Sequence, residues 1–419
     1  MCLASIFAGW LVDGSGGPAK ENVILSLHKG AITRVKATAA TSPSRSDISD
    51  FSHCTLLPGL IDAHVHLFMS GTEDLAERER QLSYGFGNVR SRIASRIRRL
   101  AACGVVACRD GGDRHAFTLQ YMRGCRHKLP IVRVRVAGAA WHQHGRYGKM
   151  IGKAPMASES LAQAVRRNHK GIDHLKIVNS GLNSMLQFGK ETAPQFSVPE
   201  LREAVTTGQQ LGLKTMVHAN GKKPVEIALK AGGHSIEHGF FMGEENLQRM
   251  ADQQIFWVPT TVTMAAYREA FHRRRRVLKR MAPSNDATIR KVEKMMDGAS
   301  RNLEHQLDQI RRARELGVPI AVGTDAGSIG VYHGRAVYEE IRLLMTGGFS
   351  ATEAIQCATL NGARLLGLHG HGIIEPGAAA TFIAVTGPPQ DLPESLERME
   401  AFFIRGKMVY EETNDDLFG

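Results

Sequence analysis

Alternating hydrophobic and polar residues mark both ends of the chain as β-structure. The alternating segments are 5–8, 23–27, 31–35, 381–385 and 401–405. Each is short and ends near turn-forming residues, as β-strands do. These flanking segments predict one small β-sandwich domain assembled from both termini, with bounds at residues 1–57 and 372–419.

Between residues 58 and 371, short apolar segments alternate with stretches of helical periodicity. The apolar segments are 60–66, 105–110, 131–136, 175–178, 215–218, 235–238, 255–259 and 320–325. Such alternation predicts parallel strands joined by helical crossovers, and eight units predict an α/β fold of the (β/α)8 TIM-barrel class. The long charged stretch 267–316 is typical of an elaborated crossover. A doubly wound open sheet is the alternative, although no glycine-rich phosphate loop follows the first strand.

Side chains able to bind a metal or move a proton end most of the predicted strands. His64 and His66 are two positions apart, so both imidazoles face the same side of the first strand. His218 ends the fifth strand, His238 the sixth and Asp325 the eighth. Active sites of barrels lie at this edge. Imidazole and carboxylate suit zinc and its first-row neighbours, so these residues predict a metal site with a position left for water.

Lys176 is an unusual residue for the place it occupies. It lies on the otherwise apolar fourth strand, where alternation points its side chain inward. A buried ammonium without a partner is costly. Two resolutions are open: a neutral amine that reacts with carbon dioxide to form a carbamate bridging two cations, or an ion pair with a carboxylate at the barrel mouth.

Composition and charge narrow the class of protein. The chain has 419 residues, of which 43% are hydrophobic, and it contains no apolar run of the length, about 18 residues, that a membrane span needs. Six cysteines without a CxxC pair, and an N-terminus without signal-peptide character, predict a cytoplasmic protein with reduced thiols. The net charge of +12 is concentrated at 271–280, where few aromatic residues are interleaved, so we expect no nucleic-acid partner.

Several motifs resemble those of the amidohydrolase superfamily over nearly the whole chain. The segment 57–66 is similar to its opening motif, and 235–239 and 323–327 resemble its motifs on the sixth and eighth strands. The segments 358–367 and 372–377 resemble its return into the small domain. The resemblance is nearest to the imidazolonepropionase-like branch, which includes Xaa-Pro and Xaa-Arg dipeptidases and carboxypeptidases.

The resemblance implies a metal-dependent hydrolase that cleaves an amide or peptide-type C–N bond in a small-molecule substrate. In the binuclear members a carboxylated lysine ends the fourth strand, where Lys176 stands, and bridges two metals together with a hydroxide. The first metal would be held by His64, His66 and Asp325, and the second by His218 and His238. Asp325 would act as general base and then as general acid. Two zinc ions per chain are favoured, one is the alternative, and manganese, iron and cobalt also suit these ligands.

Four further residues are candidates for substrate contacts. His142 and His144 lie on the loop after the third strand. They would stabilise the negatively charged oxygen that forms during hydrolysis or orient the substrate, or they are merely solvated. Asn220 would contact the substrate or stabilise its loop, and His333 would line the pocket. Some family peptidases carry tyrosine or histidine at the position of Asn220, so this pocket departs from theirs. Arginines that follow the first strand would bind a carboxylate or face solvent: Arg90, Arg92, Arg96, Arg98 and Arg99.

Three other functions stay open. A mononuclear deaminase or cyclic-amide hydrolase, as in imidazolonepropionase, would use one metal, with His238 polarising the substrate. A non-catalytic scaffold would keep the barrel, although such relatives lose metal ligands whereas all six positions are filled here. A nucleic-acid-binding module rests on charge alone, and it would show steeply salt-dependent binding. A homo-oligomer is ordinary for the family, and the substrate itself is not readable from the sequence.

Overall fold

The computed structural model describes residues 4–42, 48–125, 131–281 and 286–411. The strands are β1 (Ala4–Leu11), β2 (Lys20–His28), β3 (Ala31–Ala37), β4 (Ile48–Pro58), β5 (Leu60–Val65), β6 (Val105–Asp110), β7 (Arg133–Val136), β8 (Ala140–Trp141), β9 (Gly152–Lys153), β10 (His174–Val178), β11 (Lys214–Ala219), β12 (Ser235–His238), β13 (Phe256–Val258), β14 (Phe382–Thr386), β15 (Met399–Ile404) and β16 (Lys407–Glu411).

Helices connect most of the central strands. They are α1 (Leu75–Leu82), α2 (Phe86–Ala102), α3 (Phe117–Gly124), α4 (Leu161–Asn168), α5 (Val198–Gln210), α6 (Lys222–Lys230), α7 (Glu244–Gln253), α8 (Val262–Met281), α9 (Asp286–Leu316), α10 (Arg335–Thr346), α11 (Ala351–Ala358) and α12 (Leu360–Leu366), with short 3-10 turns at Pro389–Asp391 and Glu394–Glu397. Among the helices described, none is both long and apolar enough to cross a bilayer.

Strands from both termini form a single seven-stranded sheet. Its order is β16-β15-β14-β4-β1-β2-β3, so β14 and β4 join the two ends of the chain. On β2 alternate residues Val23, Leu25 and Leu27 are buried, as the sequence alternation requires. Stacked rings of Phe382 and Phe403 extend the same core. The predicted β domain from both termini is confirmed; residues 1–3, 43–47 and 412–419 of its predicted range lie outside the described residues.

The central strands form the predicted barrel. Parallel pairing joins β5 to β6 and β7, and β10 to β11, β12 and β13. The ring closes where Ala63 N donates to Val322 O at 2.8 Å and Asp325 N donates to His64 O at 2.7 Å. Every residue of β5, β6 and β10 is buried, as expected for parallel strands covered by helices on one face and filled by side chains on the other.

Two of the predicted strands are less regular than the sequence indicated. The third begins at Arg133 and breaks after Val136, because Gly138 adopts a φ of +71°, before the chain continues into β8. The eighth contributes isolated bridges, from Ile320 to Trp257 on one side and from Ala326 to Val65 on the other, rather than a continuous ladder. The predicted crossover at 267–316 is confirmed as the helix pair α8 and α9; residues 282–285 lie outside the described ranges.

Candidate metal centre

The end of β5 and the end of the eighth barrel segment bring three side chains together. Oδ1 of Asp325 lies 3.4 Å from Nε2 of His66 and 3.6 Å from Nε2 of His64. Each of the three residues offers one ligand atom, and these atoms all lie within 4.8 Å of one another. The His-x-His spacing on one strand face, combined with barrel closure between the first and last strands, explains the cluster. Such a group has the composition of a site for zinc or a related cation.

Three imidazoles at this edge, those of His64, His66 and His238, are held through their Nδ1 atoms. His66 Nδ1 lies 2.9 Å from the Gly112 carbonyl, which can only accept, so Nδ1 carries the proton and Nε2 keeps its lone pair. His64 Nδ1 lies 2.8 Å from Glu237 Oε2, and His238 Nδ1 lies 2.7 Å from the Thr260 hydroxyl. Metal-binding histidines are oriented in this manner, with one nitrogen hydrogen-bonded and the other free for the cation.

Glu237 belongs to a buried network that the sequence analysis did not find. Its Oε1 accepts from Arg109 Nη2 at 2.8 Å and from the Ser235 hydroxyl at 2.5 Å, while Oε2 faces His64. Arg109 also donates to the Ala63 carbonyl at 2.7 Å. The available signal was a carboxylate two residues after Ser235 on an apolar strand, where alternation places both side chains inside the barrel.

His218 and His238 lie beside the first cluster. Their ring centroids are 4.6 Å apart, and the ring of His238 is 5.1 Å from that of His64. Nε2 of His218 donates to the Gly181 carbonyl at 3.2 Å, which leaves Nδ1 with the lone pair. His238 has a φ of +66°, a conformation stabilised at its carbonyl by donors from Trp257 and Gln306. A second pair of imidazoles therefore adjoins the first.

Lys176 reaches the same place from β10. Its Nζ lies 3.4 Å from Nε2 of His64, and the side chain is almost fully buried. Within the described part of the chain, no carboxylate lies within 4.0 Å of this ammonium group, so the ion pair considered from the sequence is not formed. Burial lowers the pKa of Lys176 to about 8. A lysine so placed spends more time as a neutral amine than an exposed one.

Burial also keeps the imidazoles neutral. It is the largest cause lowering the pKa of His64, His66 and His238, and the nearby Lys176 adds to the effect at each of them. The pKa of His218 falls to about 3 for the same reasons. Neutral imidazole is the form that binds metals, so these environments favour coordination near neutral pH.

A cavity of about 380 Å³ opens above these residues. Its floor is polar, and its walls come from loops after several strands and from α8 and α9. Its apolar lining residues are Met69, Met150, Ile151, Leu182, Met185, Phe240, Met264, Phe271, Met295 and Ile329, together with Tyr147 and Tyr267. The size falls within the roughly 300–1,000 Å³ that is usual for sites of small ligands.

The four candidates for substrate contacts occupy different places. Asn220 lines the cavity, but its Oδ1 accepts from Phe240 N at 3.1 Å and its Nδ2 faces the Gly181 carbonyl. His333 is buried behind the site, with Nε2 3.3 Å from the His66 carbonyl. His142 is buried and hydrogen-bonded to its neighbour's carbonyl, and His144 is exposed. In the described structure neither of these two lines the cavity; their loop contributes Tyr147 instead.

Metal-dependent hydrolases form a class of proteins in which a parallel α/β barrel carries histidines and an aspartate at the carboxyl edge of its strands. The fold and the site described above are those of this class. Within that class, the model of the Amidohydrolase family matches residues 55–409, and the chain therefore belongs to the amidohydrolase family. It is an amidohydrolase acting on carbon–nitrogen bonds. The metal site at His64, His66 and Asp325 is typical of this family.

Similar proteins span nearly the whole chain. An uncharacterised protein of Mycobacterium tuberculosis is 25% identical over 402 residues, covering 94% of each chain. Ochratoxinase of Aspergillus niger is 26% identical over 422 residues, covering 92% of this chain and 81% of its own. The crystal structure of a Xaa-Pro dipeptidase with bound methionine matches 98% of this chain and 100% of its own with a TM-score of 0.76 and 26% identity.

Proposed function

We propose that this protein hydrolyses an amide or peptide-type C–N bond in a small substrate at a site for two divalent cations. One observation carries the proposal. Four neutral imidazoles, each with one nitrogen engaged by the protein, surround a buried lysine that has no carboxylate partner among the described residues. An unpaired lysine at this place is explained when its amine becomes a carbamate, because the added group turns a costly cation into a metal-binding anion.

The side chains present fit the two cations. His64, His66 and Asp325 would hold the first, and His218 through Nδ1 and His238 through Nε2 would hold the second. Carbon dioxide would add to the neutral amine of Lys176 with release of one proton, and the resulting carbamate would supply a further anionic ligand. When bound, cations of this kind lower the pKa of water and polarise a carbonyl group. Zinc is our first choice because its sites combine imidazole and carboxylate ligands.

Asp325 is the group that moves the proton. Its Oδ1 faces the imidazoles, while Oδ2 accepts from the Ser328 hydroxyl at 2.8 Å, which fixes the carboxylate plane. The side chain lines the cavity. From there Asp325 accepts a proton from the attacking water and delivers it to the nitrogen that leaves. The two transfers balance, since the water supplies one proton to the amine and a hydroxyl to the acyl carbon.

The second candidate is a mononuclear deaminase or cyclic-amide hydrolase. The compactness of the His64, His66 and Asp325 cluster favours it, since in the described barrel these three alone offer metal-binding atoms that all lie within 4.8 Å of one another. In that reaction Lys176 would keep its ammonium form and His238 would polarise the substrate.

Hydrolysis assays on the metal-loaded protein test the proposal. We expect N-acyl amino acids or dipeptides to release free amine, chelation to abolish the release and zinc to restore it. Asp325→Asn should lower the rate at least as much as loss of a general base, about 100-fold. Asp308→Asn, on the exposed face of α9, is the matched control. Release of ammonia from cyclic or amino-substituted heterocycles, without cleavage of open-chain amides, would establish the second candidate instead.

A further inference from the structure

Arg78 presents a positive charge to the cavity from the helix α1. Its Nη1 donates to the carbonyls of Ser70 at 2.7 Å and Gly327 at 3.0 Å, and lies 3.5 Å from that of Thr72. These carbonyls belong to the loops after the first and eighth strands. The guanidinium is therefore fixed in place between the two loops that also position His66 and Asp325.

Most donors of this guanidinium remain available. A guanidinium has five N–H groups, and here Nη1 alone makes the contacts with the protein. Within the described residues no carboxylate forms an ion pair with Arg78, whereas Arg80 on the same helix pairs with Glu77 at 2.9 Å. Burial lowers the pKa of Arg78, and the carboxylate of Asp325, which also lines the cavity, opposes that shift. A fixed fork with free donors matches a planar carboxylate.

The remaining cavity wall is apolar and adaptable. Its residues on the side of α8 and α9 carry no charge: Leu182, Met185, Phe240, Met264, Phe271 and Met295. Methionine side chains are flexible and polarizable, so such a wall accepts bulky apolar groups of different shapes. Besides Lys176 among the metal-site residues, the described cavity therefore has a cationic position at Arg78 and a broad apolar surface, with the catalytic groups between them.

The proposed roles of the catalytic groups indicate which end of the substrate lies at each position. Arg78 contacts the loop that contains Gly327, two residues after Asp325, the group that delivers the proton to the leaving nitrogen. A carboxylate one carbon from that nitrogen would reach the guanidinium. Asn220 is poorly suited to this role because its amide already bonds to backbone groups.

We propose that Arg78 binds the α-carboxylate of the amino acid that leaves, and that the methionine-rich wall binds a bulky apolar acyl group. The substrate class is accordingly an N-acyl amino acid with a free carboxylate. This inference rests on the proposed amide hydrolysis and adds a residue that determines substrate specificity.

Two matched substrates distinguish carboxylate binding by Arg78 from a purely structural role of this residue in holding the two loops together. N-(2-naphthoyl)-L-phenylalanine and N-(2-phenylethyl)-2-naphthamide contain the same amide bond, but only the first has a carboxylate. For Arg78→Gln we expect kcat/KM for the acid to fall about 10-fold to 100-fold, mainly through KM, with little change for the neutral amide. Arg78→Lys should recover part of the loss. Arg80→Gln, an exposed arginine of α1, should behave as wild type on both probes.

A loss of equal size on both probes would show that Arg78 only holds the two loops together, and would overturn the inference while leaving amide hydrolysis intact. Binding gives a second measurement that does not require turnover. The sulfonamide N-(2-naphthylsulfonyl)-L-phenylalanine should bind the metal-loaded wild type more tightly than its analogue without the carboxylate, and Arg78→Gln should remove the difference. If neither amide is cleaved but this difference is present, the proposed hydrolysis fails and the carboxylate subsite stands; an absent difference overturns the subsite.

Discussion

The two halves of the proposed two-cation centre differ in how completely the protein has arranged them. In one half, His64, His66 and Asp325 bring three ligand atoms within 4.8 Å of one another. In the other, the rings of His218 and His238 meet edge to face with their centroids 4.6 Å apart, and Lys176 approaches with an ammonium group that cannot bind a cation as it stands. The first half has the composition of a metal site as it stands, whereas in our proposal the second would become complete only when the lysine is modified.

The difference follows from what surrounds each half. His64 is oriented by a carboxylate that is itself held by Arg109 and Ser235, and His66 by a backbone carbonyl. These partners come from β6, β12 and the loop after β6, so the barrel closes around the first half. We therefore expect the first cation to bind more tightly than the second. Variants of the first half should accordingly lose more metal and more activity than variants of the second half.

The largest effect is expected from His66→Ala. This change removes a ligand and leaves Asp325 without its nearest imidazole, so the first cation should bind poorly. Activity should fall by more than the roughly 100-fold that loss of a ligand's hydrogen-bond partner can cost. Metal content by elemental analysis and amide hydrolysis check the prediction. His272→Ala, on the exposed face of α8, is the control; unchanged metal content in His66→Ala would contradict the assignment of this half.

Lys176→Ala should affect the second half more than the first. In protein purified with bicarbonate, we expect metal content to fall from about two equivalents to about one, because the bridging ligand is lost. A short carboxylate such as propionate should restore part of the activity by occupying the vacated volume. About one equivalent in both wild type and variant would exclude the bridging carbamate and favour the mononuclear reactions.

Glu237→Gln should weaken metal binding without removing a ligand. The glutamine amide at position 237 would accept a weaker hydrogen bond from His64 Nδ1 than the carboxylate does. It would also leave the buried Arg109 without a negative charge beside it. We expect metal affinity, measured by competition with a chelator, to fall about 10-fold to 100-fold. Glu340→Gln is a matched control, because Glu340 is equally buried but bonds to the backbone of Thr261 and Val262. It should lower the melting temperature without lowering metal affinity.

The smallest effect is expected from Gly298→Ala, outside both halves. An added Cβ on Gly298 of α9 would lie 1.9 Å from the Met185 carbonyl oxygen, so the segment that carries Met185 must move away from the helix. Overpacking of this kind costs about 1–3 kcal/mol. We expect a few-fold change in KM for substrates with bulky acyl groups and unchanged metal content. Ser300→Ala on the same helix is the control. A loss of metal in Gly298→Ala would contradict the expectation that the apolar cavity wall and the metal centre are independent of each other.

Much of this architecture was predictable because it depends on short-range patterns. The alternation on β2, the spacing of His64 and His66, and the placement of His218, His238 and Asp325 at strand ends are properties of local sequence. Once a parallel barrel is inferred, its geometry brings those ends to one edge. The irregular third and eighth strands were harder to predict, because Gly138 and the positive φ of Asp325 interrupt segments with ordinary strand composition.

Residues that act across strands escaped the sequence analysis. The arginines predicted either to bind a carboxylate or to face solvent lie on α2; Arg96 donates to the Leu67 carbonyl, Arg90, Arg98 and Arg99 are exposed, and in the described structure none of the five lines the cavity. Arg78, which was not singled out, does line it. Nothing local distinguishes Arg78 from its neighbour Arg80, since only the approach of the Gly327 loop decides which side chain is held over the site.

The sequence by itself determined the barrel, the domain built from both termini and the polar residues that meet at one edge. These depend on periodicity and strand order, which the chain carries locally. Only the tertiary structure decided that Glu237 orients His64, that no carboxylate of the described residues pairs with Lys176, and that Arg78 faces an apolar wall. Those outcomes depend on distances between side chains far apart in sequence, and hydrogen bonding and burial act through such distances.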